Sequence, residues 1–409
     1  MDVDLLITNG NVATLAGPAG PRPAEAADDV GLVADGAVAV KDGRIAWVGP
    51  AAEWDGAAAR TVDAQGGLVT PGFVDSHDHL VYAGDRAFEL GLKLAGKSYM
   101  EILAAGGGIA YTTGQTRAAS VEGLVDETWP RLRRMLAAGT TTTETKTGYA
   151  LDLPGELRML EAARRLEEGS GMTMAHTFLG AHAVPKEYEG RTDAYVDHVV
   201  ADMLPAVADQ GIATFCDAFV EEGVFTYEHG EAIFAAAKGH GMGLRLHADE
   251  IVNTKGAELA AAAGAVSADH LLRVSEEGIA AMADTGTIAT LLPTVPLTLF
   301  APEWPSGKAF LEAGVPVALA TDHNPNNPVT NLGLVAQLGC YLLGLTPAQA
   351  LTGVTWNAAA GLGLEGEVGS IEVGKRADLL VHDVPGLDQW IQEPGRMTAS
   401  QVYLAGVPT

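Results

Sequence analysis

His77 and His79 close the run LVTPGFVDSHDHL. Side chains two apart in an extended segment point to the same side, so both imidazoles can reach one metal ion. Eleven histidines in 409 residues give about 0.3 such pairs by chance, so the spacing needs support from the rest of the chain. Polar groups suited to chemistry stand at the ends of later strand-like runs. They are Tyr149 after GTTTTETKTG, His182 after MTMAHTFLGA, His247 and Glu250 in GLRLHADE, His270 in AVSADHL and Asp322 in PVALATDHNP. Any one of these histidines alone reads as an ordinary hydrogen-bonded core residue; the recurrence makes a constellation. His77, His79, His247 and Asp322 form a three-imidazole, one-carboxylate set that suits one borderline divalent ion, zinc first, and iron(II) or manganese as well. Such an ion lowers the pKa of a water it binds toward about 7 and polarises a carbonyl. Asp322 is then placed both to ligate and to accept the water's proton.

These six runs, with FCDAFVEE (215–222) and IATLLPTV (288–295), make eight strand-like runs, and between them lie Ala/Leu/Glu/Arg-rich stretches with apolar residues at helical spacing, such as ELRMLEAARRLEEG and VDHVVADMLPAVADQG. That rhythm predicts an α/β fold, a TIM (β/α)8 barrel over 66–364, with its active site at the carboxyl ends of the strands. The flanks differ. Residues 1–65 and 365–409 alternate apolar and polar positions around glycine-containing turns, as in GAVAVKDGRIAWVG and GSIEVGKRADLLVHDV. They predict short strands that pair across the termini into one small discontinuous β-sandwich domain. The Pro/Ala-rich stretch PAGPRPAEAADD (18–29) reads as a solvated loop.

The motifs PGFVDSHDHL, ELGLKLAGKSYMEILAAGGGI, ETKTGY, TFLGAHAVPKEY, HADEI, GAVSADHL, TDHNP and GSIEVGKRADLLV resemble, in this order, those of the amidohydrolase superfamily and, within it, the imidazolonepropionases of histidine degradation. The resemblance implies the same four ligands and the hydrolysis of a cyclic amide C–N bond, opening 4-imidazolone-5-propanoate to N-formimidoyl-L-glutamate. It also implies that Arg86 clamps the substrate carboxylate, bidentate recognition being the strength of a guanidinium, and that Tyr149 hydrogen-bonds the same carboxylate or the ring. Glu250 is expected at the ring nitrogens, shuttling protons. His182 is expected to polarise the substrate carbonyl, and His270 to orient the water or Asp322. Asn324, Asn326 and Asn327 are expected to touch the substrate. Barrel hydrolases with two metals carry a lysine at the end of strand 4. Here that strand reads FCDAFVEE and Lys146 lies on strand 2, so one metal is expected.

Two departures bear on the substrate. Asp322-His323-Asn324-Pro325-Asn326-Asn327 replaces the usual Asp-Phe-Asn-Pro-Gly followed by Ser or Thr, and Tyr111 stands near a usual small hydroxyl residue, either filling part of the pocket or lying on the surface. A hydantoin-like or other cyclic-ureide propionate, which needs the same metal and carboxylate clamp, is therefore the alternative substrate. A catalytically inactive structural barrel would have lost ligands, and all four are present.

The formal net charge of −27 argues against nucleic acid or an anionic membrane as partner, and makes a local cation necessary for an anionic substrate. With two cysteines, Cys216 and Cys340, no disulfide framework is expected. MDVDLLITNGN is no secretory signal, so a cytoplasmic enzyme is expected, and the resemblance adds a homodimer.

Overall fold

Strands β1 (Asp2–Ala13), β2 (Leu32–Lys41), β3 (Arg44–Pro50), β4 (Ala57–Asp63) and β5 (Leu68–Pro71) open the chain in the computed structural model, which describes residues 1–97, 101–102 and 106–409. The middle of ELGLKLAGKSYMEILAAGGGI lies outside the described residues. The eight runs read as barrel strands all form: β6 (Phe73–Asp75), β7 (Thr140–Lys146), β8 (Thr173–Ala181), β9 (Phe215–Val220), β10 (Gly243–Ala248), β11 (Ser267–His270), β12 (Ile288–Leu291) and β13 (Val317–Leu319). They pair in sequence order, every pair parallel. The seam between β13 and β6 is closed by side-chain chemistry. Thr321 donates to the Asp75 carboxylate from its backbone N–H (3.0 Å) and its hydroxyl (2.6 Å). Beyond it, Asp322 N–H donates to His77 O (3.0 Å) and His79 N–H to His323 O (2.9 Å). The His77/His79 pair that follows the first barrel strand is thereby locked beside Asp322 after the eighth.

β14 (Leu379–His382), β15 (Ala399–Leu404) and β16 (Val407–Pro408) return to the first five strands. β5 pairs parallel with β1 and antiparallel with β14, so both termini share one mixed sheet. Leu5, Ile7, Val38, Ile45 and Val62 from one limb of this sheet pack with Val69, Leu379, Val381 and Tyr403 from the other. The strand Leu68–Pro71 lies in this sheet, beyond the boundary expected at residue 65.

Two of the longer helices begin at side-chain caps and end on left-handed glycine. In Leu153–Ser170, Asp152 accepts from Gly155 N–H and Gly171 closes at φ 73°; Glu276–Thr285 repeats this with Ser275 and Gly286. The stretch 18–29 is not a solvated loop. It contains a short helix, Ala24–Asp28, and Arg22 is buried, donating to Leu15 O (2.6 Å) and accepting Asn357 by its own backbone. Its backbone is tied to the helices Pro347–Gly353 and Trp356–Gly361, Ala27 O accepting from Thr352 and Gly20 O from Trp356. None of the described helices is long and apolar enough to cross a membrane.

Candidate metal centre and substrate mouth

The polar ends of the strands converge as the barrel geometry requires. His79 Nε2 and His247 Nε2 stand 3.2 Å apart, and Asp322 Oδ1 lies 3.6 Å from His77 Nε2 and 3.5 Å from His79 Nε2. Two nitrogens at ~2.05 Å from one tetrahedral ion are about 3.3 Å apart, so these three distances match those between donors in a coordination shell. His77 Nε2 and Asp322 Oδ1 are buried without a hydrogen-bond partner, a costly arrangement unless a cation completes it. Among the described residues the metal-competent groups are His77–His79–His247 and His77–His270–Asp322, which share His77. The residues present therefore fit the expected ion.

Two of the three imidazoles, His77 and His247, are turned by a carboxylate behind them, while His79 Nδ1 is buried without a partner. Asp269 Oδ2 accepts from His77 Nδ1 at 2.7 Å, and Asp217 Oδ2 lies 3.0 Å from His247 Nδ1. A proton held on Nδ1 leaves the Nε2 lone pair for the ion. Behind these acids sit two fully buried cations. Lys146 Nζ reaches Asp217 at 2.7 Å and Glu144 at 2.9 Å. Arg245 contacts Glu144 at 3.1 Å and Asp269 at 3.3 Å, and donates to Ser76 O and Gly361 O. Lys146 is thus committed to an internal ion network.

Around the ligands stand the other groups expected from sequence. His182 stacks on His79, ring centroids 5.0 Å apart, and lies 5.2 Å from Tyr149. Its Nδ1 faces Gly148 O at 3.0 Å. A carbonyl only accepts, so Nδ1 carries the proton; burial lowers the ring's pKa to about 3, and Nε2 presents a lone pair. A neutral ring of this tautomer accepts a hydrogen bond and does not polarise a carbonyl. The approach needs Gly148, since a Cβ there would lie 2.9 Å from His182 Cβ and φ is +100°. His270 keeps both ring nitrogens free of hydrogen bonds, with Glu250 3.7 Å from Nδ1.

Two of the three asparagines of the last loop, Asn324 and Asn327, hold the loop itself. Asn324 Oδ1 accepts the N–H groups of Asn326 and Asn327, and its amide donates to Asp322 O. Asn327 Nδ2 donates to Thr294 Oγ1, Thr321 O and Asp322 O. The Asn326 side chain accepts from Lys93. Asn324 and Asn327 thus shape the turn behind Asp322 with their side-chain amides engaged, while Asn326 is engaged through its side-chain oxygen. Arg86 is buried and held bidentately by Glu89, at 2.7 and 2.8 Å. Tyr111 packs edge-on against Phe88.

A model of the amidohydrolase family matches residues 68–407, and one described as an imidazolonepropionase-like composite domain of bacteria matches residues 36–53. The imidazolonepropionase of Symbiobacterium thermophilum is 46% identical, over 94% of this chain and 92% of its own. That of Geobacillus kaustophilus is 45% identical over 97% and 95%. The chain belongs to the imidazolonepropionase family of amidohydrolases. More distant structures share the fold alone. An adenosine deaminase from Xanthomonas campestris with bound zinc superposes at TM-score 0.69 with 23% identity, covering 100% of this chain and 93% of that one. A 5-methylcytosine deaminase from Klebsiella pneumoniae superposes at 0.76 with 16% identity, covering 98% and 97%.

In this imidazolonepropionase-family barrel the acids at the mouth are strained by burial. Asp322 is pushed up to about 8, by burial first and then by Glu250. Glu250 rises to about 7 through burial, with Glu221 adding to it. Unfolded carboxyls titrate near ~4, so without metal both groups stay protonated in the fold, and stability is lost as pH rises from about 4 through about 8. A dication favours ionised Asp322. Zinc is therefore expected to raise the melting temperature more at pH about 8.5 than at pH about 6. Thermal melts with and without zinc at both pH values check this, and equal shifts would contradict it.

Proposed function

We propose that this chain hydrolyses the ring amide of 4-imidazolone-5-propanoate to N-formimidoyl-L-glutamate in the cytoplasm, using one divalent ion, zinc first, held by His77, His79, His247 and Asp322. The observation that carries the reading is the 3.2–3.6 Å separation of His79 from His247 and of Asp322 from both His77 and His79 in a chain of this family. When bound, the ion supplies an acidified water and a Lewis acid for the carbonyl.

The chain's own residues supply the rest. Water adds to the ring carbonyl carbon, the adjacent C–N bond breaks, and the departing nitrogen takes a proton. Asp322 accepts the proton of the attacking water. Glu250, whose carboxyl burial pushes up to about 7 in the metal-free fold, is suited to exchange protons with the ring nitrogens. His270, with two unengaged ring nitrogens, orients the water. His182 Nε2 accepts a hydrogen bond from a substrate N–H, Tyr149 donates its phenol, and Arg86 binds the propanoate through the N–H groups Glu89 leaves free.

Freshly generated 4-imidazolone-5-propanoate, with hydantoin-5-propanoate in parallel, tests this. Formation of N-formimidoyl-L-glutamate, identified by mass, is the expected result; opening of the hydantoin alone would move the function to a neighbouring cyclic ureide. Arg86→Ala is expected to lower kcat/KM for the acid by about 30- to 100-fold and to spare its uncharged amide. Equal losses on both would remove Arg86 from the site.

A further inference from the structure

The helix Ala87–Leu94 brings a second cation to the mouth. Arg86, immediately before it, gives its Nε and one Nη2 hydrogen to Glu89, and Gly108 N–H donates to the same carboxylate at 2.7 Å. A Cβ on Gly107 would lie 2.6 Å from Glu89 Oε1, so a glycine there lets the backbone close over the acid. Arg86 and Glu89 cancel as charges. The pair offers oriented N–H groups but no net attraction for an anion.

Lys93 lies on the same helix as Glu89 and reaches across to the side-chain oxygen of Asn326, in the loop that follows Asp322. It is half-buried. Among the described residues it has no carboxylate within ion-pair distance, and the charges it feels are those of Glu89 and Arg86. Two cations against one carboxylate leave a single positive charge in a chain whose formal net charge is −27. A half-buried ammonium resting on a neutral amide is incompletely balanced, and a carboxylate is the better partner.

We propose that Lys93 is a second cationic contact for the carboxylate of the ligand. Its ammonium exchanges the Asn326 amide for the incoming carboxylate, while Arg86, clamped by Glu89, fixes the orientation of that carboxylate. The inference rests on the reading of the substrate as a propanoate, and it adds a specificity-determining residue to that site.

The test uses the zinc-loaded full chain and two unreactive probes, imidazole-4-propanoate and its primary amide, titrated calorimetrically. Lys93→Met is expected to weaken the acid by about 10- to 30-fold and the amide by less than about twofold, and Lys93→Arg to recover most of the loss. Asn326→Ala, which removes the resting partner and keeps the ammonium, is expected to leave the acid bound at least as tightly as in the wild type. Equal losses for acid and amide in both Lys93→Met and Asn326→Ala would make Lys93 a latch between helix and loop and overturn the proposal. So would a wild type that binds acid and amide alike. Ring opening by the wild type, measured alongside, separates the two readings. If the wild type opens the imidazolone while Lys93→Met binds the acid normally, the inference fails and the function stands. If acid selectivity depends on Lys93 but no imidazolone is opened, the function fails and the anion site stands.

Discussion

Asp322→Asn is expected to lower kcat/KM for ring opening at least about a thousandfold while leaving the fold intact. The carboxylate supplies one of four donors and takes the proton of the attacking water, and the amide does neither well. The backbone argument makes the substitution clean. Asp322 sits at φ 49°, a left-handed conformation that asparagine tolerates about as well as aspartate. The contacts it makes through its main chain, from its N–H to His77 O and from Asn324 and Asn327 to its carbonyl, do not involve the side chain that changes. Removing a buried acid that is pushed up to about 8 also removes a burden on the metal-free fold. The variant should therefore melt no lower than the metal-free wild type at pH about 8.5. Wild-type turnover with metal retained would contradict the assignment.

Lys146→Met is expected to cost about 3–5 kcal/mol of stability, the range for stripping one partner from a buried ion pair. Burial alone would pull the Lys146 pKa down, but Asp217 and Glu144 more than offset this and hold it above its usual value. Without the ammonium, Asp217 and Glu144 face the interior with Arg245 as the remaining cation of the network. Asp217 also loses the contact that orients it toward His247, so zinc affinity should change along with stability, by about 10- to 100-fold if the carboxylate turns away. Adding Asp217→Asn to Lys146→Met should restore part of the stability and none of the affinity. The midpoint of denaturant unfolding reads the first effect and competition with a chelator the second. A Lys146→Met protein within about 1 kcal/mol of wild type would show that the network is solvated or otherwise compensated.

The candidate ligands were legible because polar donors at strand ends break an otherwise apolar pattern. His77, His79, His247 and Asp322 could be read that way, and the structure brings them together. The groups behind them were not read, although a signal was present. Glu144 and Lys146 fall at alternate positions of TTTTETK, a strand buried along its whole length without one apolar residue, and Asp217, Arg245 and Asp269 likewise lie within strands whose other residues are mostly apolar or buried. Charges at inward positions of a barrel strand demand partners on neighbouring strands, and that demand was the missed clue. The loop asparagines show the opposite limit. An amide can face a ligand or close its own turn, and spacing does not distinguish the two unless the Asx-turn pattern of Asn324 is weighed. The tautomer of His182 was out of reach, because the group that sets it is a backbone carbonyl, Gly148 O, supplied beyond the end of the neighbouring strand. Arg86 and Glu89, three apart at the start of a helix, were open to reading as an ion pair, and that pairing limits what Arg86 alone can do for an anion.

The central claim is a single-ion hydrolase of the imidazolone ring. Adding zinc stepwise to metal-free protein while following N-formimidoyl-L-glutamate formation tests it directly. Activity that rises in proportion to zinc and levels off at one equivalent per chain is the predicted result. Activity that keeps rising to two equivalents, or an imidazolone ring left unopened by protein that has bound its zinc, would contradict it.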